Sequence, residues 1–189
     1  MYKVIPNFIS DEEQSFLLDL VKKYTANNLR SYADHEQHHN SVYGKSTEPI
    51  FFFSILDELK TNKKLQEIVR KMQEAAGVLE ENPNTHFNWV ISIAPRGTEV
   101  MNHIDPLDEE RLKTKKILRI NLLVQNAKRG GSFQLSKTSN GNEYIDAEIP
   151  DKGLMMFEAS EIWHRITTNL SSTVRVNLSI DALIDRKDS

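Results

Sequence analysis

The residues Thr173-Val174-Arg175-Val176-Asn177-Leu178-Ser179-Ile180 alternate without a break between apolar and polar. Successive side chains of an extended chain point to opposite faces. Val174, Val176, Leu178 and Ile180 therefore share one face, and Arg175, Asn177 and Ser179 the other. The stretch is a β-strand whose apolar face needs a core. Its polar face has two uses. It meets water, as in a half-exposed antiparallel sheet, or it lines a polar cavity with an arginine fork aimed at a carboxylate.

Working outward, this strand spans roughly 173–181 and is the last of eight short β-like runs that follow Pro83. The others are 86–94, 99–104, 117–125, 132–136, 143–149, 154–157 and 163–168. Turn signals separate them: Pro95-Arg96-Gly97, Pro106, Gly130-Gly131, Asn140-Gly141-Asn142, Pro150-Asp151-Lys152-Gly153 and Asn169. Many short strands with regular punctuation predict a sandwich or barrel, not a parallel α/β sheet.

The first half reads differently. Lys3–Ile5 is an edge strand stopped by Pro6. Ser10 and Glu13 form a Ser-x-x-Glu capping box, and Phe16, Leu17, Leu20, Val21 and Tyr24 follow at helical spacing, so a helix is expected over Asp11–Tyr24. Residues 25–50 show no period and read as a long loop of the kind that serves as a lid or binding loop. A short helical piece is expected at Ile55–Leu59. A second helix starts at Asn62, carries the stripe Leu65, Ile68, Val69, Met72, Ala75, Ala76 and Leu79, and is ended by Pro83. The expected fold is mainly β with flanking helices (α+β), the helices packed on the outside of one sheet. All 189 residues form one domain, with 1–85 as helical support and lid loop and 86–183 as the β core.

Composition excludes several classes. There is no cysteine, hence no disulfide, zinc ribbon or thiol nucleophile. The net charge of −3 lacks the basic footprint of a nucleic-acid binder. No apolar run reaches the ~18–20 residues of a membrane span, and the start MYKVIPNFISDEEQ does not read as a secretory signal. A cytoplasmic protein without membrane or nucleic-acid partners is expected. The basic stretch RLKTKKILR (Arg111–Arg119) is either a solvated approach to a strand or a phosphate-binding patch.

Three residue groups carry chemistry. In His103-Ile104-Asp105 an imidazole and a carboxylate share one face of an extended segment, though so short a pattern also arises by chance. His164 follows the apolar run Gly153–Phe157 and a turn, and is either a ligand delivered by a late strand or a satisfied histidine beside Trp163. Arg175 is the third. Two histidines and one carboxylate make the facial triad of a non-haem Fe(II) site with open positions.

Taken together, His103-x-Asp105, a long interval, His164 and then Arg175 resemble the 2-oxoglutarate/Fe(II) oxygenase superfamily, nearest its prolyl-hydroxylase-like branch. Gly130-Gly131-Ser132-Phe133 is similar to that family's Gly-Gly turn, and Lys152-Gly153-Leu154 to Trp163-His164-Arg165 resembles the run into its second histidine. The resemblance implies a double-stranded β-helix, a jelly-roll or cupin-like barrel. It implies His103, Asp105 and His164 as metal ligands and Arg175 as the anchor for the C5 carboxylate of 2-oxoglutarate. Two departures stand out. The tyrosine that many relatives carry before H-x-D is missing, with Ile93 near its place, and the serine two residues after the arginine is Asn177. Asn121, on the same strand face as Arg119, is a further candidate contact for the co-substrate. The implied cofactors are Fe(II), 2-oxoglutarate as co-substrate and O₂, with ascorbate as an optional reductant. The implied reaction is hydroxylation of a prolyl peptide or protein, or of a free amino acid, coupled to formation of succinate. Its rival is a non-catalytic or 2-oxoglutarate-independent cupin-like metal-binding β-barrel. The loop Asp34–His39, Arg96, Arg165, Trp89 and Trp163 are open between substrate contact and ordinary surface or core roles.

Overall fold

The computed structural model describes residues 2–27, 40, 47–78, 86–138 and 143–186. In chain order the elements are β1 (Tyr2–Ile5), α1 (Asp11–Asn27), β2 (Phe51–Ser54), α2 (Leu56–Thr61), α3 (Lys63–Ala76), β3 (His86–Ala94), β4 (Val100–His103), α4 (Glu109–Leu112), β5 (Lys115–Gln125), β6 (Phe133–Ser136), β7 (Ile145–Asp146), β8 (Gly153–Glu158), β9 (Trp163–Ile166) and β10 (Arg175–Asp185). Among the described residues, ten strands make two antiparallel sheets, one of six strands in the order β1-β8-β5-β10-β3-β2 and one of four in the order β4-β9-β6-β7. This is the expected mainly-β, two-layer architecture. The sheets are separate ladders rather than one closed barrel.

The capping box at Ser10 forms: the Glu13 N–H donates to Ser10 Oγ (3.1 Å) and the Ser10 N–H to Glu13 Oε2 (2.8 Å). Asn62 caps α3 by accepting from the Leu65 N–H at 3.2 Å. This helix ends at Gly77, well before Pro83. Gly77 is left-handed (φ 69°), and its N–H bonds back to the carbonyls of Gln73 and Glu74. A helix stop in that conformation favours glycine because no Cβ is present to clash. Leu65, Ile68, Val69 and Met72 are all buried, as their spacing predicts.

Those residues and Leu17, Leu20 and Val21 of α1 pack on one face of the larger sheet. There Val176, Leu178 and Ile180 of β10 lie beside Ile91 and Ile93 of β3 and Ile120 and Leu122 of β5. Twenty buried apolar residues form this helix-side core, against nine between the two sheets. At roughly 1.5–3 kcal/mol per fully buried large apolar side chain, the helix side supplies most of the hydrophobic stabilisation. The helices thus brace the back of a sheet whose other face looks across to β4, β9, β6 and β7.

Other departures have local causes. The strand expected over 143–149 shrinks to Ile145–Asp146, since Glu148 takes a left-handed φ of 45° that ends the pairing. Strand β2, unforeseen, pairs with β3. The basic run after Arg111 makes no joint patch. Arg111 pairs with Asp108, Lys115 with Asp185 and Lys116 with Glu158, while Arg119 turns inward. Among the described residues no helix is long and apolar enough to cross a membrane.

Candidate metal centre

Strand β4 ends at His103, and the antiparallel ladder sets His103 directly opposite His164 of β9. Their ring centroids are 4.2 Å apart. The chain then leaves the strand, with the Asp105 N–H donating to the Ala159 carbonyl at 2.8 Å, so that the carboxylate turns back over the histidine pair. Asp105 Oδ1 lies 3.7 Å from His103 Nε2 and 4.0 Å from His164 Nε2, and one ligand atom from each residue falls within 4.8 Å of the others. Donors that share one ion at about 2 Å each stand about 3–4 Å apart.

Each imidazole is oriented in the same way. His103 Nδ1 is 2.8 Å from the Met101 carbonyl and His164 Nδ1 is 3.0 Å from the Ile162 carbonyl. A carbonyl only accepts, so Nδ1 carries the proton and Nε2 presents its lone pair to the centre. His164 Nε2 is buried and makes no hydrogen bond, which is costly for a polar atom unless something else occupies it. Burial, with His103 and Arg119 adding to it, holds the His164 imidazole well below the usual histidine range. Burial also lowers His103. Neutral imidazoles are the form that binds a cation. Burial pushes the Asp105 carboxyl up, and the adjacent Arg119 guanidinium opposes that. Two neutral imidazoles and one carboxylate on one side of an open space fit a divalent metal of the facial-triad kind.

The space is a narrow, solvent-open cleft between the sheets with a cavity volume of about 60 Å³. The inner face of the larger sheet lines it with Asn88, Ser92, Asn121, Arg175, Asn177 and Ser179, and the smaller sheet adds Val100, Phe133 and Ile166. The polar side of the Thr173–Ile180 stretch therefore does not meet bulk water but forms a buried polar wall. Arg175 is 1% exposed, and its Nε and Nη1 have no hydrogen-bond partner among the described residues. Burial lowers it only to about 10, so it stays a cation at neutral pH. The turn at Gly130 and Gly131 packs beneath it, both with φ near 70°. A Cβ at Gly130 would stand 2.1 Å from the Thr168 carbonyl oxygen, and one at Gly131 would touch Arg175 Cδ at 3.6 Å. Asn121 is buried and accepts from the Ser179 hydroxyl at 2.9 Å. Asn177 donates weakly to Ser92 Oγ (3.5 Å), and its Oδ1 is unpartnered.

Five of the six sequence-derived candidates line this cleft, and Asp105, beyond the end of β4, stands within 4.0 Å of both histidine Nε2 atoms. Ile93 is not among them. It points into the helix-side core, and Val90 and Ser92 face the cleft instead. Trp89 also packs toward the helices. Arg165 points away from His164, donates to Gln134 (2.7 Å) and stacks on Tyr144 (3.4 Å), while Arg96 is exposed. The stretch Asp34–His39 lies outside the described residues. Sequence reasoning missed Asn88, Arg119 and Asp181 as a group. Arg119 shares strand parity with Asn121, which was the available signal. Its partner lies 62 positions away.

No family model matches the chain, and no curated protein matches it. Solved structures do. A prolyl-4-hydroxylase from Pseudomonas putida superposes with a TM-score of 0.64 at 13% identity, over 99% of this chain and 93% of its own. The fold is that of the prolyl-hydroxylase-like 2-oxoglutarate oxygenases. A prolyl hydroxylase from Trichoplax adhaerens, in complex with a hypoxia inducible factor oxygen degradation domain peptide fragment, matches with a TM-score of 0.59 at 12% identity, over 96% of this chain and 82% of that one. The α-ketoglutarate-dependent epimerase SnoN of nogalamycin biosynthesis matches at 0.63 and 10% identity, over 97% and 77%. At such identities the double-stranded β-helix fold is what is shared.

Proposed function

We propose that this chain is an Fe(II)- and 2-oxoglutarate-dependent dioxygenase that hydroxylates a C–H bond of a prolyl peptide or protein, or of a free amino acid. The observation that carries this reading is the pairing of two features in one cleft. Three metal-donor groups converge there from the smaller sheet, and a fully buried arginine of the larger sheet lines the same cleft with two guanidinium nitrogens unpartnered. A buried cation without a counter-ion is strongly disfavoured, and a dicarboxylate reaching from the metal to Arg175 relieves it. The charges then balance: Asp105, Arg175, a divalent metal and a dianion sum to zero.

When bound, the Fe(II)/2-oxoglutarate pair supplies the oxidising power that the protein lacks, with succinate and CO₂ as by-products. The chain's residues do the rest. His103, Asp105 and His164 would hold the metal, and the Nδ1–carbonyl bonds of the two histidines fix the imidazoles so that no proton competes for Nε2. Arg175 anchors the far carboxylate, with Asn121 and Asn177 as polar contacts along the wall. Val100, Phe133 and Ile166 line the opposite side and restrict water. A peptide substrate is supported by the kinship in fold with the Trichoplax enzyme, which holds one. The cupin-like, 2-oxoglutarate-independent alternative leaves Arg175 without a purpose.

The test is anaerobic titration of the protein with Fe(II) and then 2-oxoglutarate. A weak visible charge-transfer band is expected, lost in His164→Ala, and substrate-dependent succinate formation should fall below detection in that variant. An iron-loaded protein that gives no band would sink the co-substrate assignment and bring the cupin-like reading forward.

A further inference from the structure

Beside the donor triad lies a charged cluster that the reading above does not use. Arg119 of β5 grips Asp181 of β10 with a two-pronged fork, Nε to Oδ1 and Nη2 to Oδ2, both at 2.8 Å. The same Nη2 stands 2.7 Å from Asp105 Oδ2, an ion contact without hydrogen-bond geometry. Asp181 is 2% exposed and also accepts from the Asn88 side-chain amide at 2.7 Å. Asn88 has a left-handed backbone, φ 58°, and sits where the β10–β3 register slips between Ser179 and Asp181. A bulge re-aims a side chain, and a non-glycine residue in that region is held there by its surroundings at some cost. Here the result is an amide directed at Asp181.

We propose that Arg119, pinned by Asp181 and Asn88, is a positioning residue for the metal-ligating carboxylate. The two oxygens of Asp105 have different neighbours. Oδ1 faces both histidine Nε2 atoms, at 3.7 and 4.0 Å, whereas Oδ2 faces Arg119. Arg119 thereby draws Oδ2 to itself and leaves Oδ1 as the oxygen that Asp105 would offer to a metal. Asp181 keeps the guanidinium from collapsing wholly onto Asp105, since the two-pronged fork goes to Asp181. Arg119 and Asp181 neutralise each other, so the pair aims the ligand without altering the charge of the site. A buried ion pair is weak evidence for stability on its own account, and its cost is accounted for if it orients a ligand.

This inference rests on the metal-centre reading, so the test separates the two. Mn(II) binding is followed from the signal of the free ion in electron paramagnetic resonance, without co-substrate or turnover. Arg119→Gln alone strands the Asp181 charge and endangers folding. The paired variant Arg119→Gln/Asp181→Asn replaces both charges by amides. It should keep the wild-type circular dichroism spectrum while its Mn(II) affinity falls by roughly 10- to 100-fold, the range typical of lost outer-sphere partners. A merely structural pair would change the melting temperature of the metal-free protein and leave the affinity of the folded protein alone. A folded paired variant that binds Mn(II) as tightly as wild type, or more tightly, overturns the proposal. Wild type that binds no Mn(II), or His164→Ala that binds as well as wild type, overturns the metal centre and this proposal with it.

Discussion

Strand β10 has two faces that are equally buried and chemically opposite. Val176, Leu178 and Ile180 lie in the helix-side core, and Arg175, Asn177 and Ser179 line the cleft with Asp181 next on the same face, none of the seven more than 9% exposed. On the helix side every side chain has apolar neighbours. On the cleft side the row ranges from a fully paired carboxylate, Asp181, to an arginine with two unpartnered nitrogens. Burial alone therefore does not separate core from site. What separates them is whether the buried groups are satisfied by the chain itself. One face stabilises the fold, and the other holds unsatisfied groups that a ligand completes.

Breaking the helix-side face should give the largest effect on stability. Leu178 is fully buried and lies beside Ile91 and Leu122. Leu178→Ala loses apolar burial and leaves a cavity, at a cost of roughly 2–5 kcal/mol. Urea denaturation should show the midpoint falling accordingly. Metal affinity of the remaining folded fraction should be unchanged. A shift under half a kcal/mol would mean that this face is not the main brace of the sheet.

The same kind of change on the cleft face should have the opposite sign. Arg175→Met replaces an unpaired buried cation by an apolar side chain of similar length, and such replacements are often neutral or stabilising by about 1–4 kcal/mol. The apparent affinity for 2-oxoglutarate should fall, by about 100-fold if one charge-assisted fork worth about 2–3 kcal/mol is lost. Denaturation in the absence of ligand, beside a titration of the charge-transfer band, measures both. A variant that is less stable and binds 2-oxoglutarate normally would move Arg175 from the site to the core.

Most of this contrast was legible in the residues, because period 2 is a local property. The alternation over 173–180 divided the β10 side chains of that stretch between the two faces, while whether the polar face met water or a cavity stayed open, and H-x-D, His164 and Arg175 became candidates together through the family resemblance that they carry. The capping box at Ser10 likewise needs only neighbours. Features that depend on distant partners were not legible. Arg119 looks like one more cation in a basic run until β10 is laid beside β5 and Asp181 meets it. Strand β2 has no alternation and exists because β3 offers it an edge. Gly77 ended α3 before Pro83 could, and nothing in the apolar stripe marks which of two breakers acts first.

The smallest expected effect is the dependence of this contrast on pH. His164 is buried and its folded imidazole is held well below the ordinary value of 6.5, chiefly by burial. The sign follows from which state binds the proton. Above about pH 6.5 neither the folded nor the unfolded chain protonates this group, and its contribution to stability is fully present. Below that, the unfolded chain takes up a proton that the folded one refuses, so stability falls with pH by up to about 1.4 kcal/mol per unit. His103, also lowered by burial, acts in the same direction. Asp105, raised by burial, acts in the other, because its folded form gains a proton as pH falls through its raised value. Metal-free wild type should therefore lose stability from pH 7 to pH 5.5, and His164→Phe, which keeps the ring and removes the titration, should lose less. Leu178→Ala should lower the curve by the same amount at every pH, since the substitution removes no group that titrates. Urea midpoints across that range test both statements. Parallel curves for wild type and His164→Phe would show that the cleft histidine is not desolvated as described, and the two faces of β10 would then differ in shape but not in electrostatics.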